Sequence, residues 1–451
     1  MQKPDSAGQP PRRAPRFGSA AIGTFATQLT IAVLSFLNVL IVARVLGPAG
    51  RGEVTLLMTI SMLTATFGLL GLDEANVNFG GRHPELRRAL AGNSLLLSAA
   101  VGAACIALLG AAMWAFPAVG GDTSSTLRFL ALLAIPMLIL KILLKFLLQA
   151  DFRFAVANAC WLLPPLLTFM VNVALAIAGL LSVASAFVAW VAAHGLATAL
   201  LVGYVALRSD GFGRPDAALA RRTLGFGGRS YAGRVMMVGN YRLDQWFVGA
   251  IAGSRELGLY SIAVAWTEML FLLPTALVIA QRPYLVRSSK VDAARRAARV
   301  FRGSAVLTLA AAAGVILLAP VLCTTIFGAD FGGSVADLRL LATGALGILA
   351  LRLLGNALTA QGRPGLATAG AAAAFAVTLL LDLLLIPSYG GFGAAIASTA
   401  AYTVGGVATG ALFWRFFGRS GTSLVPRPAE VPGLLRLALR PVLPGRRDAA
   451  P

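Results

Sequence analysis

The 451-residue chain reads as an all-α integral membrane protein, with about twelve transmembrane helices in two six-helix lobes that form a parallel pseudo-repeat around a central cavity. Three observations predict this fold: an apolar composition, an uneven distribution of basic residues between alternate loops, and short stretches that recur in both halves.

Hydrophobic residues make up 58% of the chain and charged residues only 12%, whereas a soluble domain is roughly half apolar and about a quarter charged. Apolar runs long enough to cross the hydrocarbon core, about 20 helical residues, recur along nearly the whole length and leave no room for a large soluble domain. The expected spans cover 20–43, 54–79, 89–115, 127–149, 155–180, 183–207, 231–252, 258–283, 303–327, 338–360, 365–387 and 391–417. Each must be helical, because lipid satisfies no backbone polar group and the runs lack the alternation of barrel strands. The first run is too long, and too poor in a small-residue cleavage site, for a removable signal peptide. Cys105, Cys160 and Cys323 lie singly inside spans, without metal or disulfide spacing, and read as small hydrophobes.

The formal net charge of +20 is a topology signal. Inner loops carry Arg82, Arg87 and Arg88, then Arg208, Arg214, Arg221, Arg222 and Arg229, then Arg287, Lys290, Arg295, Arg296, Arg299 and Arg302, and Arg363. Outer loops carry Arg51 beside Glu53, Asp122, Arg255 beside Glu256, and Asp330 with Asp337. The asymmetry places both termini in the cytoplasm and argues against nucleic-acid binding.

The stretch VARVLGPAGRGEV (42–54) returns as VGAIAGSRELGLY (248–260), so that Gly47 aligns with Gly253 and Gly52 with Gly258. LRFLA (127–131) likewise matches LRLLA (338–342), and Lys141 and Arg352 follow at equal distances. Fixed offsets of this kind mark a duplication, the architecture by which many secondary transporters build a central path between two lobes. The glycines are expected to let the backbone reverse tightly between spans. The implied organisation is a cytoplasmic N-terminal tail (1–17), an N-lobe (18–208), a polar, basic cytoplasmic linker (209–230), a C-lobe (231–417) and a cytoplasmic C-terminal tail (418–451).

Charged side chains within spans must face protein or water. Arg242, Asp244 and Glu268 fall at similar depth on spans 7 and 8. Arg242 and Asp244, two apart, cannot share a helix face, so one pairs with Glu268 while the other looks elsewhere. Either the pair locks the lobe, or Asp244 or Glu268 takes up H⁺ or Na⁺ during transport. Asn240 lies on the Asp244 side and Gln245 near Arg242. Lys141 and Arg352, at equivalent places of the two halves, either snorkel or form a cationic floor suited to phosphate oxygens; Lys145 is expected to snorkel. Asp73 and Glu74 are expected to pair with Arg82 in solvent. His194 reads as a packed residue before a proton relay. Asn38 takes the place of Asp244 in the first half. The segments 288–303 and VPGLLRLALRPVL (431–443) look like basic amphipathic helices on the inner surface, in contact with anionic membrane lipids.

ARVLGPAGRGEV after the first span, RLDQWFVGAIAGSRELGLYSIA at spans 7 and 8, LTAQGRP after span 10 and LLLIPSYGGFGAAIAS across spans 11 and 12 together resemble the bacterial polysaccharide or oligosaccharide flippases. Their superfamily also holds the multidrug and toxic compound extrusion transporters and the lipid II flippase. The resemblance runs from about residue 18 to residue 417. It implies two six-helix lobes around a cavity and ion-driven alternating access, moving an undecaprenyl-pyrophosphate-linked oligosaccharide across the bacterial cytoplasmic membrane. Asp382 departs from the pattern, standing in span 11 where the family commonly shows Asn; the aligned residue of the first half is Asn172. Twelve spans in place of fourteen argue against the lipid II branch.

On this reading the protein is not an enzyme. Lys141, Arg352 and Arg242 contact the anionic headgroup, Asp244 and Glu268 serve ion coupling or gating, and Asn38, Asp382 and His194 are secondary candidates. No bound metal or cofactor is expected beyond the coupling ion. The expected partners are the lipid-linked oligosaccharide, anionic lipids and polysaccharide assembly proteins. The rival readings are a drug antiporter of the extrusion family and a membrane polysaccharide polymerase or ligase. The second generally needs a large outer loop with catalytic groups, and the outer loops here run to about a dozen residues. ATP-binding loops, metal-ligand clusters and nucleophile triads are absent from the sequence.

Overall fold

The computed structural model describes residues 17–418 and 422–432. Its helices are α1 (Phe17–Gly68), α2 (Leu72–Arg82), α3 (Arg87–Ala115), α4 (Ser125–Ala150), α5 (Phe154–Ile177), α6 (Val183–Arg208), α7 (Ala217–Phe247), α8 (Ser254–Leu270), α9 (Leu272–Arg287), α10 (Lys290–Pro320), α11 (Ser334–Thr343), α12 (Ala345–Ala360) and α13 (Pro364–Phe417). Side-chain caps start several of them. Ser124 accepts from Leu127 N, Ser182 from Ser185 N, Asp216 from Leu219 N and Ser289 from Asp292 N, each satisfying a donor that the first turn leaves free.

Two of these helices are hairpins. Asn158 Nδ2 donates to Thr24 Oγ1 at 3.1 Å and Asn172 Nδ2 to Asn38 Oδ1 at 2.7 Å, so the first arm of α1 runs parallel to α5. Ser61 Oγ donates to Ala131 O and Asn76 Nδ2 to Leu143 O, so the second arm, continued by α2, runs parallel to α4. Since the short turn at Asp151–Arg153 sends α5 back against the direction of α4, the chain must reverse within α1, and it does so at Gly47, with φ 66°. α13 reverses in the same way at Gly390, with φ 56°, so that Gly370 packs on Thr409 and Gly405 on Ala374. Other passes are broken but do not turn back: α1 into α2 at Leu70 and Gly71, α8 into α9 at Phe271, and α11 into α12, bent by 41°. Counted by direction the chain crosses about twelve times, as the sequence predicts.

α1 to α6 pack on one another, as do α7 to α13, and α1 against α8 is the main contact between the halves. Gly47 (φ 66°, ψ −175°) and Gly253 (φ 89°, ψ 172°) share one backbone conformation, as duplicated turns should. Gly52 and Gly258 act differently from the expectation that they too serve the reversal. A Cβ on Gly52 would stand 1.7 Å from Ser254 O, and one on Gly258 would stand 1.8 Å from Pro48 O. Ser254 and Gly258 are the repeat equivalents of Pro48 and Gly52, so the contact is reciprocal, in the manner of an interface across a two-fold axis.

Two segments differ from the sequence reading, one in being helical and the other in joining a span. The connection read at 209–230 is already helix from Ala217, because Asp216 caps it and Leu219 is buried there. The basic segment 288–303 is the first half of α10, running unbroken into its span. The C-terminal amphipathic stretch lies outside the described residues beyond Pro432.

Gly258→Ala is expected to destabilise the protein by about 1–3 kcal/mol, the range for overpacking a tight contact. It should also raise the labelling rate of a cysteine placed at Ser254 by an impermeant maleimide. Unchanged melting in detergent together with unchanged labelling would contradict the backbone contact.

Candidate functional site

Between the halves lies a cavity of about 420 Å³ lined by α1, α4, α5 and α6 on one side and by α7 and α8 on the other. On the α7–α8 wall Arg242 Nη2 meets Glu268 Oε1 at 2.7 Å. The two side chains are 44% and 38% exposed, so the pair is solvated from the cavity and holds the helices only weakly. Arg242 is thus the partner of Glu268, and Asp244 points the other way, as helical spacing requires.

The opposite wall carries Arg51, Lys141, His194 and Trp161. Arg51 is only 7% exposed, its Nε has no hydrogen-bond partner among the described residues, and it lies within electrostatic reach of Arg242 and Glu268. This corrects its reading as an outer-loop charge beside Glu53. The helix resumes at once after Gly47, so Arg51 sits in a first turn between the halves, not in a loop. Lys141 is 4% exposed and its Nζ lies 4.8 Å from the Trp161 ring centre; it does not snorkel. Lys145, expected at the interface, lies over the same indole at 3.7 Å. His194 Nδ1 donates to Trp190 O at 3.0 Å with its ring against Trp190, so it is packed and hydrogen-bonded as expected, while still bordering the cavity.

A second polar cluster is buried within the C-terminal half. Asp244 accepts from Tyr260 OH at 2.5 Å, from Ser398 Oγ at 3.1 Å and from Gln245 N at 2.7 Å. Asn240 Oδ1 accepts from Thr378 Oγ1 at 2.5 Å. Asp382, fully buried, lies within electrostatic reach of Asp244, and among the described residues neither of its carboxylate oxygens has a hydrogen-bond partner. The equivalent place in the first half holds Asn38 hydrogen-bonded to Asn172. One half therefore contains an amide pair where the other contains two carboxylates.

Toward the basic face the halves meet again. Gly71 and Gly227 touch backbone to backbone, Tyr231 OH donates to Phe67 O, and Arg234 pairs with Asp73 and, at 2.8 Å, with Glu74. Arg82 is thus not the partner of these acids. α2 turns Asp73 into the protein, where it is fully buried and reaches α7.

The sequence matches the family described as polysaccharide biosynthesis protein over residues 41–336. The chain belongs to that family. No curated protein matches it, but solved structures share its fold. The chain is similar to the lipid II flippase MurJ in an inward closed conformation, with TM-score 0.67 and 14% identity over 93% of this chain and 91% of that one. It is similar to an inward-facing multidrug resistance MATE family transporter of the MOP superfamily, with TM-score 0.64 and 17% identity over 86% and 96%. A MOP superfamily transporter from Pyrococcus furiosus matches with TM-score 0.57 and 14% identity over 92% and 95%. The fold is that of the MOP superfamily.

The structure brings Lys141, Arg242, Glu268, His194 and Asn38 to the cavity of this family member and leaves Asp244 and Asp382 in the C-terminal half. It also separates Arg352 from Lys141, so the two do not form one cationic floor. α12 packs inside its own half, and Arg352 there donates to Thr275 Oγ1 at 2.5 Å and Tyr241 OH at 3.2 Å, over the rings of Tyr241 and Phe271. Sequence reasoning missed Arg51, Arg234 and Trp161. Arg51 stands beside Gly52, the close-approach glycine of the contact with Ser254, and that contact between elements distant in the sequence has no local signal.

Arg234→Ala leaves Asp73 buried without its cation and is expected to cost about 2–4 kcal/mol, less than the loss for a fully buried pair because Arg234 is partly exposed. Adding Asp73→Asn should restore much of that stability. Additive losses in a double-mutant cycle by thermal unfolding would show that the two residues are not coupled.

Proposed function

We propose that the protein is a flippase that moves an undecaprenyl-pyrophosphate-linked oligosaccharide across the bacterial cytoplasmic membrane for surface polysaccharide biosynthesis. The observation that carries this reading is the surplus of positive charge in the cavity. Arg51, Lys141 and Arg242 line it, and Glu268 is the only acidic residue among the lining side chains. A pyrophosphate diester is a dianion with oxygens suited to guanidinium and ammonium donors. The lipid tail stays in the bilayer while the headgroup and sugars occupy the cleft. A cationic drug, the cargo that would suit the extrusion reading, would meet repulsion in such a cavity.

The contacts on both sides of the cavity, at Gly52 and Gly258 on one face and at Arg234 on the other, suit an alternating-access cycle in which one set parts while the other holds. Asp244 and Asp382 are our choice for the coupling ion, H⁺ or Na⁺. Two buried carboxylates in reach of each other repel unless one takes up a proton or a cation lies between them, and among the described residues Asp382 has no hydrogen-bond donor. Glu268 is assigned to gating through Arg242. The basic face is taken as cytoplasmic, with both termini on it and anionic lipids around it. Polysaccharide assembly proteins are the partners that such a product would be handed to.

The test is export of surface polysaccharide from cells that depend on this chain. Lys141→Ala with Arg242→Ala, expressed at normal level, is expected to lower export at least about tenfold, the loss of roughly one charge-assisted contact or more. Normal export from that double variant would reject the cavity assignment.

In proteoliposomes, Asp382→Asn is expected to abolish the stimulation of transport by a proton or Na⁺ gradient, while leaving substrate affinity within about twofold because Asp382 lies outside the cavity. Gradient-driven transport equal to that of the unaltered protein would remove Asp382 from the coupling role.

A further inference from the structure

We propose that Asp73 switches partners during the transport cycle: it pairs with Arg234 of the C-terminal half while the basic face is closed, and with Lys145 of its own half when that face opens. This rests on the alternating-access reading above and adds the residue that receives the buried acid once the halves part.

Asp73 lies in the first turn of α2 and is fully buried. Its Oδ2 meets the Arg234 guanidinium, whereas its Oδ1, equally enclosed, has no hydrogen-bond partner among the described residues. A carboxylate accepts through both oxygens, so one side of this acid is left open to a second donor. Lys145 is placed to supply it. α2 runs parallel to α4, with Asn76 Nδ2 on Leu143 O at 3.3 Å and Gly80 against Leu147, which sets Asp73, three residues before Asn76, at about the level of Leu140. A long side chain on a helix extends toward the N-terminus, and the Lys145 ammonium does so, lying 3.7 Å from the centre of the Trp161 ring that Lys141 approaches at 4.8 Å. Its charge is thus carried back from its own Cα toward the level of Asp73, within electrostatic reach of that carboxylate. Among the described residues Lys145 has no ion pair. The ring faces of Trp161 and, at 5.3 Å, Phe146 hold it, and a ring face is a weaker partner than a carboxylate.

Opening of the basic face is what calls for the switch. Arg234 belongs to α7 and Asp73 to α2, on opposite sides of the contact where Gly71 meets Gly227, so parting the halves there takes Arg234 away. Glu74, the other acid on Arg234, has a side chain 39% exposed and is hydrated when the pair breaks. Asp73 has no such access to water, and an uncompensated buried charge would hold the face shut. Lys145 moves with Asp73, because α2 and α4 pack together in one half, and it reaches the acid by giving up only ring contacts. An acid that is paired in both states favours opening without weakening the closed form. A lysine with a purely structural role would act differently, since its loss would change stability and leave the balance between closed and open forms where it was.

The experiment follows opening by the rate at which an impermeant maleimide, applied to the basic face in inside-out membrane vesicles, labels a cysteine placed at Thr59 in the cavity lining. The full chain is used, with Cys105, Cys160 and Cys323 replaced by alanine. Lys145→Met and Lys145→Gln are expected to slow labelling by about tenfold, roughly one charge-assisted contact, while Lys145→Arg keeps the rate within about threefold because the charge remains. Asp73→Asn removes the buried charge and should speed labelling. In that background Lys145→Met should change the rate by no more than about twofold. If the neutral lysine variants label as fast as the unaltered protein, or slow labelling equally with and without the Asp73 carboxylate, the switch is overturned, and the flippase reading stands as long as Asp73→Asn still speeds labelling. If the cysteine is labelled in none of the proteins, Asp73→Asn included, the switch and the alternating-access reading fail together.

Discussion

The arrangement depends on two backbone contacts where the halves meet. Gly52 lies against the carbonyl of Ser254 and Gly258 against that of Pro48, and any side chain at either glycine would push the helices apart. Because these contacts are equivalent under the repeat, each half presents the same surface to the other, and the same change at either turn disturbs both. Close approach at one end and a cavity below it follow from the same geometry. Helices that touch backbone to backbone at one level leave room between their side chains at another.

Within that symmetric frame the chemistry is not symmetric. Among the described residues the N-terminal wall of the cavity holds Arg51 and Lys141 without carboxylate partners, whereas the C-terminal wall balances Arg242 with Glu268. In the helix interiors the asymmetry reverses. Asn38 and Asn172 satisfy each other with a neutral hydrogen bond, while Asp244 and Asp382 bring two acids together. Neutral amides fix two helices in one arrangement under all conditions. A pair of acids has an energy that depends on whether a proton or cation is present. The half with surplus positive charge toward the cavity is thus the one with a neutral amide pair inside, and the half with the balanced wall is the one with two acids inside, where we propose the ion response.

Much of the fold was legible in the sequence because lipid leaves few options. Apolar length gives the number of crossings, and the recurrence of Gly47 and Gly52 at Gly253 and Gly258 gives the duplication. Helix spacing also put Arg242 and Asp244 on different faces, while which of them meets Glu268 came only from the structure. What failed were contacts between elements distant in the sequence. Asp73 reads as a surface acid near Arg82 until α2 turns it into the protein toward Arg234 on α7. Arg352 sits at the place equivalent to Lys141, yet the repeat fixes only its depth. Which neighbour it faces depends on the tilt of α12, bent from α11 by 41°. Arg51 looked like a loop charge because nothing local marks where the second arm of α1 begins.

α7 connects these separate features. Arg234 at the basic-face contact, Arg242 on the cavity wall and Asp244 in the acid cluster all belong to this one helix. At about 1.5 Å per residue they span roughly 15 Å along its axis. The backbone hydrogen bonds between them are continuous, so a shift or rotation of α7 at one level moves the other two positions with it. Arg242 and Asp244 point to opposite sides, one toward the cavity and the other toward Tyr260 and Ser398. A rotation that draws Arg242 away from Glu268 therefore also changes the donors around Asp244. Energetic coupling between two sites requires an element that both sites bias, and α7 is a helix that touches all three.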